Sequence, residues 1–346
     1  PGATDEHPSM ETGDTATEEL NVTTRMRQLL VAGLIGLAAS PAIALDKASL
    51  RLNWVLIGQH PAYYLGVERG YYRDEGIDLT INEGRGSGAA VQLVANGEDT
   101  FGLADTGAVI AGRAKGAPVK VIMSLFRTSN LSVTCAADAN VRTLADLYGK
   151  KIAVTAGDAL HQMWPGLVGA NGLDEKKINL VFMDPAAKPV SVLQGRTECL
   201  LGGVDDQAVT IETQGRKVNV IRFADNKFNT LTVAAFTNDK VIAEKPDLVR
   251  RFVRATERSW KAAMADPAAA IKAAAKAKPG INESVLRAQM EASFKLIPPP
   301  DGAQMAFGVA PASYWDQTLS ILTKYQGMKI EAKAADHYDY SFASGK

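Results

Sequence analysis

The sequence predicts an α/β protein built as two lobes with a ligand cleft between them. Two observations carry that expectation. From residue 50 onward, short apolar runs alternate with helical stretches, the mark of βαβ units and of a sheet covered on both faces. The alternation also restarts near residue 129, and 346 residues leave room for two cores at roughly 100–200 residues per domain.

In chain order, 50–57 is an apolar strand candidate, 60–69 a helix closed by Gly70, and 79–81 the next strand. Ser87 suits the cap of a helix over 89–96 that Gly97 ends. A short hydroxyl side chain satisfies the first free N–H groups, and glycine tolerates the left-handed exit. A strand at 101–104, a helix at 106–115 and a strand at 119–125 complete the first unit. The second repeats the scheme, with strands at 131–136, 151–155, 178–183, 199–202 and 218–223 and helices at 161–170 and 189–194. Residues 231–237 are again apolar, and helices follow at 247–265, 267–277, 283–294 and 312–325. Those late helices have no sheet of their own and are expected to pack back on the first unit. One lobe is therefore drawn as 45–128 with 226–346, the other as 129–225, joined by crossings near 126–131 and 222–232. A cleft between such lobes is the natural ligand site, and closure about the crossings its natural motion.

Composition narrows the function. Apolar residues make up 46% of the chain and charged ones 22%, as in an ordinary globular protein. The 38 Lys and Arg balance 38 Asp and Glu, which removes the electrostatic footprint of a nucleic-acid binder. Cys135 and Cys199 are too few for a Cys-based zinc or iron–sulfur site, and a disulfide between them stays open. The four histidines show no metal-ligand spacing, so no metal or cofactor is expected.

Residues 26–44 read as a secretory signal peptide. Arg25 and Arg27 flank Met26, the run 29–39 is apolar, and Ala42-Ile43-Ala44 supplies a small-residue cleavage site. The run falls short of the roughly 20 apolar residues that span a bilayer. Residues 1–25, acidic and Thr-rich, are expected to be a disordered or non-native extension, with translation starting at Met26. The mature protein is expected in the periplasm.

The most specific stretch is 52–79. Asn53-Trp54, His60, Tyr64, Glu68, Gly70-Tyr71-Tyr72 and Glu75-Gly76-Ile77-Asp78 together resemble the start of the NMT1/THI5-like periplasmic solute-binding proteins. Gly86-Ser87-Gly88, Asn96-Gly97-Glu98-Asp99, Ala104-Asp105-Thr106 and 144–152 extend the resemblance over roughly 50–260. It implies a type II periplasmic-binding-protein fold that hands a small solute to the permease and ATPase of an ABC importer. The protein is expected to act as a monomer. Family members differ in ligand: thiamine-precursor pyrimidines, sulfonates, taurine and nitrate all occur.

Candidate ligand residues follow from the pattern. Asn53 and Trp54 sit where a strand meets a loop; Trp54 offers either core packing or a flat face for a planar ring. His60, beside Pro61, carries ring nitrogens able to donate or accept. Tyr64 matches the family aromatic and is favoured over Tyr63, assigned to the rim. Ser87 and Thr106 open helices whose free N–H groups suit an acceptor, although plain capping explains both equally well. In the second lobe, Asp158 and His161 occupy the turn where the family contacts solute, and Trp164 is either an aromatic wall or core. A carboxylate at 158 favours an amino or protonated nitrogen over an anion. Asp205 and Asp206 match a family stretch near the crossing, with one carboxylate expected to be structural and one cleft-facing. Asn229, on the return crossing, offers an amide.

The preferred ligand is a small planar nitrogen-bearing molecule of the thiamine-precursor pyrimidine type. A sulfonate, nitrate or aromatic carboxylate is the competitor, with Arg127 as its anion partner. A pyrimidine-forming or hydrolytic enzyme using His60 and Asp205 as acid and base is the reading from another class. A sensory subunit on the same fold is a third.

Overall fold

The computed structural model describes residues 1–4, 44–299, 302 and 304–343, and the described residues from Leu45 onward form one compact body. The expected extension and signal peptide fall almost wholly outside the described residues.

Strands β1 (Asp46–Arg51), β2 (Ile77–Asn82) and β3 (Phe101–Asp105) run parallel, with Asp46 opposite Ile77 and Leu50 opposite Phe101. After β4 (Val119–Ser124) the chain crosses at 125–130 into a second sheet. That sheet comprises β5 (Leu131–Ala136), β6 (Lys151–Val154), β7 (Asn179–Phe182), β8 (Cys199–Gly203) and β9 (Val218–Arg222), in the order 7-6-8-5-9. The chain returns at 223–232 into β10 (Val233–Asn238), which inserts antiparallel between β3 and β4 and gives the order 2-1-3-10-4. Each sheet thus carries one antiparallel strand beside a crossing: β10 in the first, β5 in the second. Strands β3, β5, β8 and β10 are buried along their whole length. Helices or the other lobe cover both of their faces, so even Ser132 and Thr134 of β5 and Thr237 of β10 are fully buried. Edge strand β2 instead begins with burial that alternates residue by residue.

Helices α1 (Pro61–Glu68), α2 (Tyr71–Asp74), α3 (Ser87–Ala95) and α4 (Thr106–Ala114) belong to the first lobe. The second carries α5 (Ala159–Asn171), α6 (Ala187–Leu193) and α7 (Gln207–Thr213). Beyond β10 come α8 (Asp239–Glu244), α9 (Pro246–Ala265), α10 (Pro267–Ala277), α11 (Glu283–Phe294) and α12 (Ala312–Gln326). Helix α9 is the most amphipathic. It buries Leu248, Val249, Phe252, Val253 and Trp260 at helical spacing, and Phe252 stacks on Phe101 with ring centroids 3.8 Å apart.

Two expectations are corrected here. The strand drawn over 50–57 lies earlier, at 46–51. Beyond Leu52, whose N–H still reaches Asn82 O (2.8 Å), the chain turns away from the sheet, and Leu56 N–H donates to Glu83 Oε1 (3.0 Å) instead. The last helix, α12, does not pack on the first lobe alone. It lies along α5 of the second, where a Cβ at Gly169 would stand 2.6 Å from the Tyr325 carbonyl oxygen. Near its start, Trp315 Nε1 donates to Tyr340 Oη (3.0 Å), itself hydrogen-bonded to Ser124 Oγ of β4 (2.6 Å). Cys135 and Cys199, directly opposite on β5 and β8, form a disulfide.

Candidate functional site

The first lobe's wall is the turn that follows β1. His60 closes it: Nδ1 accepts from Ile57 N–H (3.2 Å), which leaves the ring proton on Nε2 to reach Asn53 Oδ1 (2.9 Å). Complete burial lowers the His60 pKa to about 3, so the ring stays neutral. Gln59 Nε2 also donates to Asn53 Oδ1 (3.2 Å). With its carbonyl doubly engaged, Asn53 has its amide NH₂ left as the group for a solute. Trp54, 7% exposed, follows on the same turn.

Across the cleft, Asp158 caps α5 by accepting from His161 N–H (2.7 Å). Its other oxygen takes a hydrogen bond from Lys188 Nζ (3.0 Å), a side chain with no exposed surface. Lys188 also donates to Leu201 O (2.8 Å) and sets its ammonium 5.0 Å from the Trp54 ring centroid, within cation–π range. A buried ammonium needs such partners, since desolvating it alone is prohibitive.

Two further carboxylates complete the site. Asp105 caps α4 through Gly107 N–H (2.8 Å), while its Oδ2 is buried without a hydrogen-bond partner. Burial pushes its pKa to about 7. Asp206 is raised to about 7 as well, by burial and then by the neighbouring Asp205 charge, with Lys188 opposing. Asn53, Trp54, Asp105, Asp158, Lys188 and Asp206 all line one interlobe cavity of about 50 Å³. Solute pockets commonly run from roughly 300 Å³ upward, so the lobes stand drawn together around this smaller space.

Glycines allow that approach. A Cβ on Gly88 would stand 2.9 Å from Gln162 Nε2 and 3.0 Å from Gly157 O, and one on Gly86 3.2 Å from the Asp158 Cα. Gly86 also holds φ of 139°, a conformation open to glycine.

The NMT1/THI5-like family profile matches residues 57–270, more than half of the chain. The chain belongs to the NMT1/THI5-like family. It is 24% identical over 227 residues to a riboflavin-binding protein, RibY, of Chloroflexus aurantiacus, a match covering 64% of each chain. It is 22% identical over 306 residues to a formylaminopyrimidine-binding protein of Halalkalibacterium halodurans, covering 87% of this chain and 92% of the relative. A 4-amino-5-hydroxymethyl-2-methylpyrimidine phosphate synthase of Candida albicans matches at 26% over 242 residues, covering 64% of this chain and 68% of the relative. Among solved structures, the alkanesulfonate-binding protein SsuA of Xanthomonas axonopodis pv. citri aligns with a TM-score of 0.64 at 16% identity, covering 84% and 96%. At that identity the likeness concerns the fold, which is the generic two-lobed periplasmic-binding-protein fold.

In this NMT1/THI5-like chain, Asn53, Trp54, Ser87, Asp158 and Asp206 line the cavity, whereas the other sequence candidates do not. His60 is buried behind Asn53 and shapes the turn. Tyr64 packs half-buried against the first core, and burial pushes its pKa up to about 12. Tyr63, assigned to the rim, is fully buried and meets Trp260 edge-on. Thr106 turns its hydroxyl onto Thr232 O (2.6 Å). His161 takes Gly157 N–H on Nδ1 (3.0 Å) and packs edge-on against Phe182. Trp164 is core, with Nε1 donating to Glu175 Oε1 (3.0 Å). Asp205 is the structural carboxylate, holding Asn130 Nδ2 (3.0 Å) and Ser293 Oγ (2.8 Å).

Asn229 and Arg127 line a different cavity of about 350 Å³. Arg127 cannot serve a cleft anion because its guanidinium donates to the carbonyls of Val309, Ile297 and Ala306 at 2.6–2.8 Å. Ser87 is not a cap either: it is the first helical residue, and its Oγ accepts from Asp105 N–H (3.0 Å). Asp158, expected to await a solute nitrogen, spends both oxygens on His161 N–H and Lys188. Lys188, Asp105 and Gln59 are site residues that the sequence pattern does not single out. The cap signal Asp105-Thr106-Gly107 points as readily to the Thr106 hydroxyl as to the Asp105 carboxylate that makes the cap. For Lys188 no local signal existed.

Proposed function

We propose that this protein is an exported solute-binding protein that closes on a small planar molecule bearing N–H donors, of the aminopyrimidine kind. It passes that molecule to the permease and ATPase of an ABC importer. The observation that carries the reading is a surplus of acceptors. Asp105 Oδ2, Gln59 Oε1 and Gln207 Oε1, all on cavity-lining residues, are buried without hydrogen-bond partners. Each such acceptor costs about 1–3 kcal/mol, which an amino group or ring N–H would recover. Trp54 supplies a stacking face.

Anions fare worse here. The cavity's cation, Lys188, is already matched by Asp158, and Asp105 and Asp206 add negative charge as they ionise. The formylaminopyrimidine-binding relative, matched over nearly its whole length, favours the same class.

The acid–base pair of the enzyme reading is engaged elsewhere. His60 has both ring nitrogens engaged and Asp205 both oxygens, so neither is poised as acid or base. Export is supported by the 26–44 pattern and by the Cys135–Cys199 disulfide, a bond that persists in oxidising compartments. No helix among the described residues is long and apolar enough to cross a membrane.

A thermal-shift panel tests the reading, because a ligand that binds only the folded state raises apparent stability. The panel holds 4-amino-5-hydroxymethyl-2-methylpyrimidine, riboflavin, an alkanesulfonate, nitrate and an aromatic carboxylate. A shift with the pyrimidine is expected; a shift confined to the anions overturns the proposal.

A further inference from the structure

Helix α11 packs on α10 of the first lobe and also reaches α7 of the second. Its contact with the second lobe is polar and specific. Gln289 Oε1 accepts from Gly58 N–H (3.0 Å), and Nε2 donates to Thr210 Oγ1 (2.9 Å) and Asp206 Oδ1 (3.1 Å). One turn on, Ser293 Oγ donates to Asp205 Oδ2 (2.8 Å). Both residues are buried. Gly58 sits between Ile57 and Gln59, two cavity residues, and a Cβ there would stand 2.3 Å from the Gln289 backbone. The glycine is what seats the first-lobe turn on the helix.

We propose that Gln289, backed by Ser293, is the latch of the closed form. It is a positioning residue that ties Asp206 of the second lobe to the cavity turn of the first. The bonds to Asp206, Thr210 and Asp205 join the two lobes, so parting the lobes breaks them, and they weight the balance toward the shut state. Gln289 itself does not line the cavity. It acts through Asp206, whose carboxylate is held between the helix and the solute space. Removing the latch therefore shortens the life of the closed complex without altering how a solute first meets Trp54.

The ligand arm of the test rests on the binding-protein reading; the shape arm does not. Small-angle scattering of ligand-free Gln289→Ala and Ser293→Ala should give a larger radius of gyration than the wild type. Stopped-flow measurements with 4-amino-5-hydroxymethyl-2-methylpyrimidine should show dissociation about tenfold faster for Gln289→Ala, with association unchanged within about twofold. An unchanged radius together with an unchanged dissociation rate overturns the latch.

Gln289→Glu separates a latch from mere loosening. At pH 8 it sets a third carboxylate beside Asp205 and Asp206 and should open the protein further than Ala does. At pH 5 protonation should reverse part of that opening, and a radius indifferent to pH counts against the proposal. If the pyrimidine fails to bind the wild type, the assigned solute class falls, and the scattering alone decides the latch.

Discussion

Lys188 of the second lobe holds its ammonium 5.0 Å from the centre of the Trp54 ring of the first, while its charge is matched by Asp158 at 3.0 Å. The cation thus belongs at once to the second lobe's interior and to the cleft.

Breaking that pair from one side should be severe. Lys188→Met leaves the Asp158 carboxylate buried and alone, and a loss of about 3–5 kcal/mol in urea unfolding is expected. Adding Asp158→Asn should recover most of it. A single Lys188→Met variant as stable as the wild type would show the pair to be dispensable.

Trp54→Ala should weaken solute binding by about tenfold or more, since stacking beyond mere area burial is worth roughly 0.5–1.5 kcal/mol and the face itself is also lost. Calorimetric titration with the solute found by thermal shift checks this. Full affinity in the variant would remove Trp54 from the site.

The pH dependence has a definite sign. Asp105 has a folded pKa of about 7 against 3.8 for the free group, so between those values the folded state holds a proton that the unfolded state has released. Its contribution is fully present below pH 3.8 and is lost as the pH climbs to 7. Ligand-free Asp105→Asn should therefore gain stability relative to the wild type between about pH 4 and 7, and no further above it. His60 acts the other way, staying neutral while the unfolded ring protonates below pH 6.5. Comparing the variant with the wild type at each pH cancels that term.

Gly88→Val tests the approach of the lobes. Its side chain would press on Gln162 and the Gly157 carbonyl, so solute affinity should fall at least tenfold while each lobe stays folded. Circular dichroism and titration together read this out, and unaltered affinity would place the contact elsewhere.

Removing the disulfide by Cys135→Ala with Cys199→Ala should cost about 2–4 kcal/mol, measured by denaturant unfolding, with solute affinity little changed. The bond closes a separation of 64 residues inside the second sheet. Equal midpoints for the oxidised and substituted proteins would contradict the pairing.

Much of the architecture was legible because buried strands such as β3 and β8 are short, largely apolar runs, and because caps and glycines mark the helices between them. The site was half legible. Asn53 and Trp54 announce themselves at a strand end, and Asp206 by its doublet. Lys188, however, is an ordinary-looking helix lysine until Asp158, thirty residues earlier, is folded against it. His60 misled for the converse reason: a polar ring in a loop resembles a solute contact, yet here it knits the turn that presents Asn53. Pairings across such distances are properties of the tertiary structure, beyond the reach of local pattern.

Helix α12 has a consequence for how the protein moves. Trp315 and Tyr340 anchor it to β4, while Gly169 and Gln162 moor its far end to α5. Two crossing strands alone would let one lobe both swing and swivel; this additional strap opposes the swivel. Two relatives with identical cavity walls could thus release cargo at different speeds, because part of the resistance resides in a helical seam no solute ever touches.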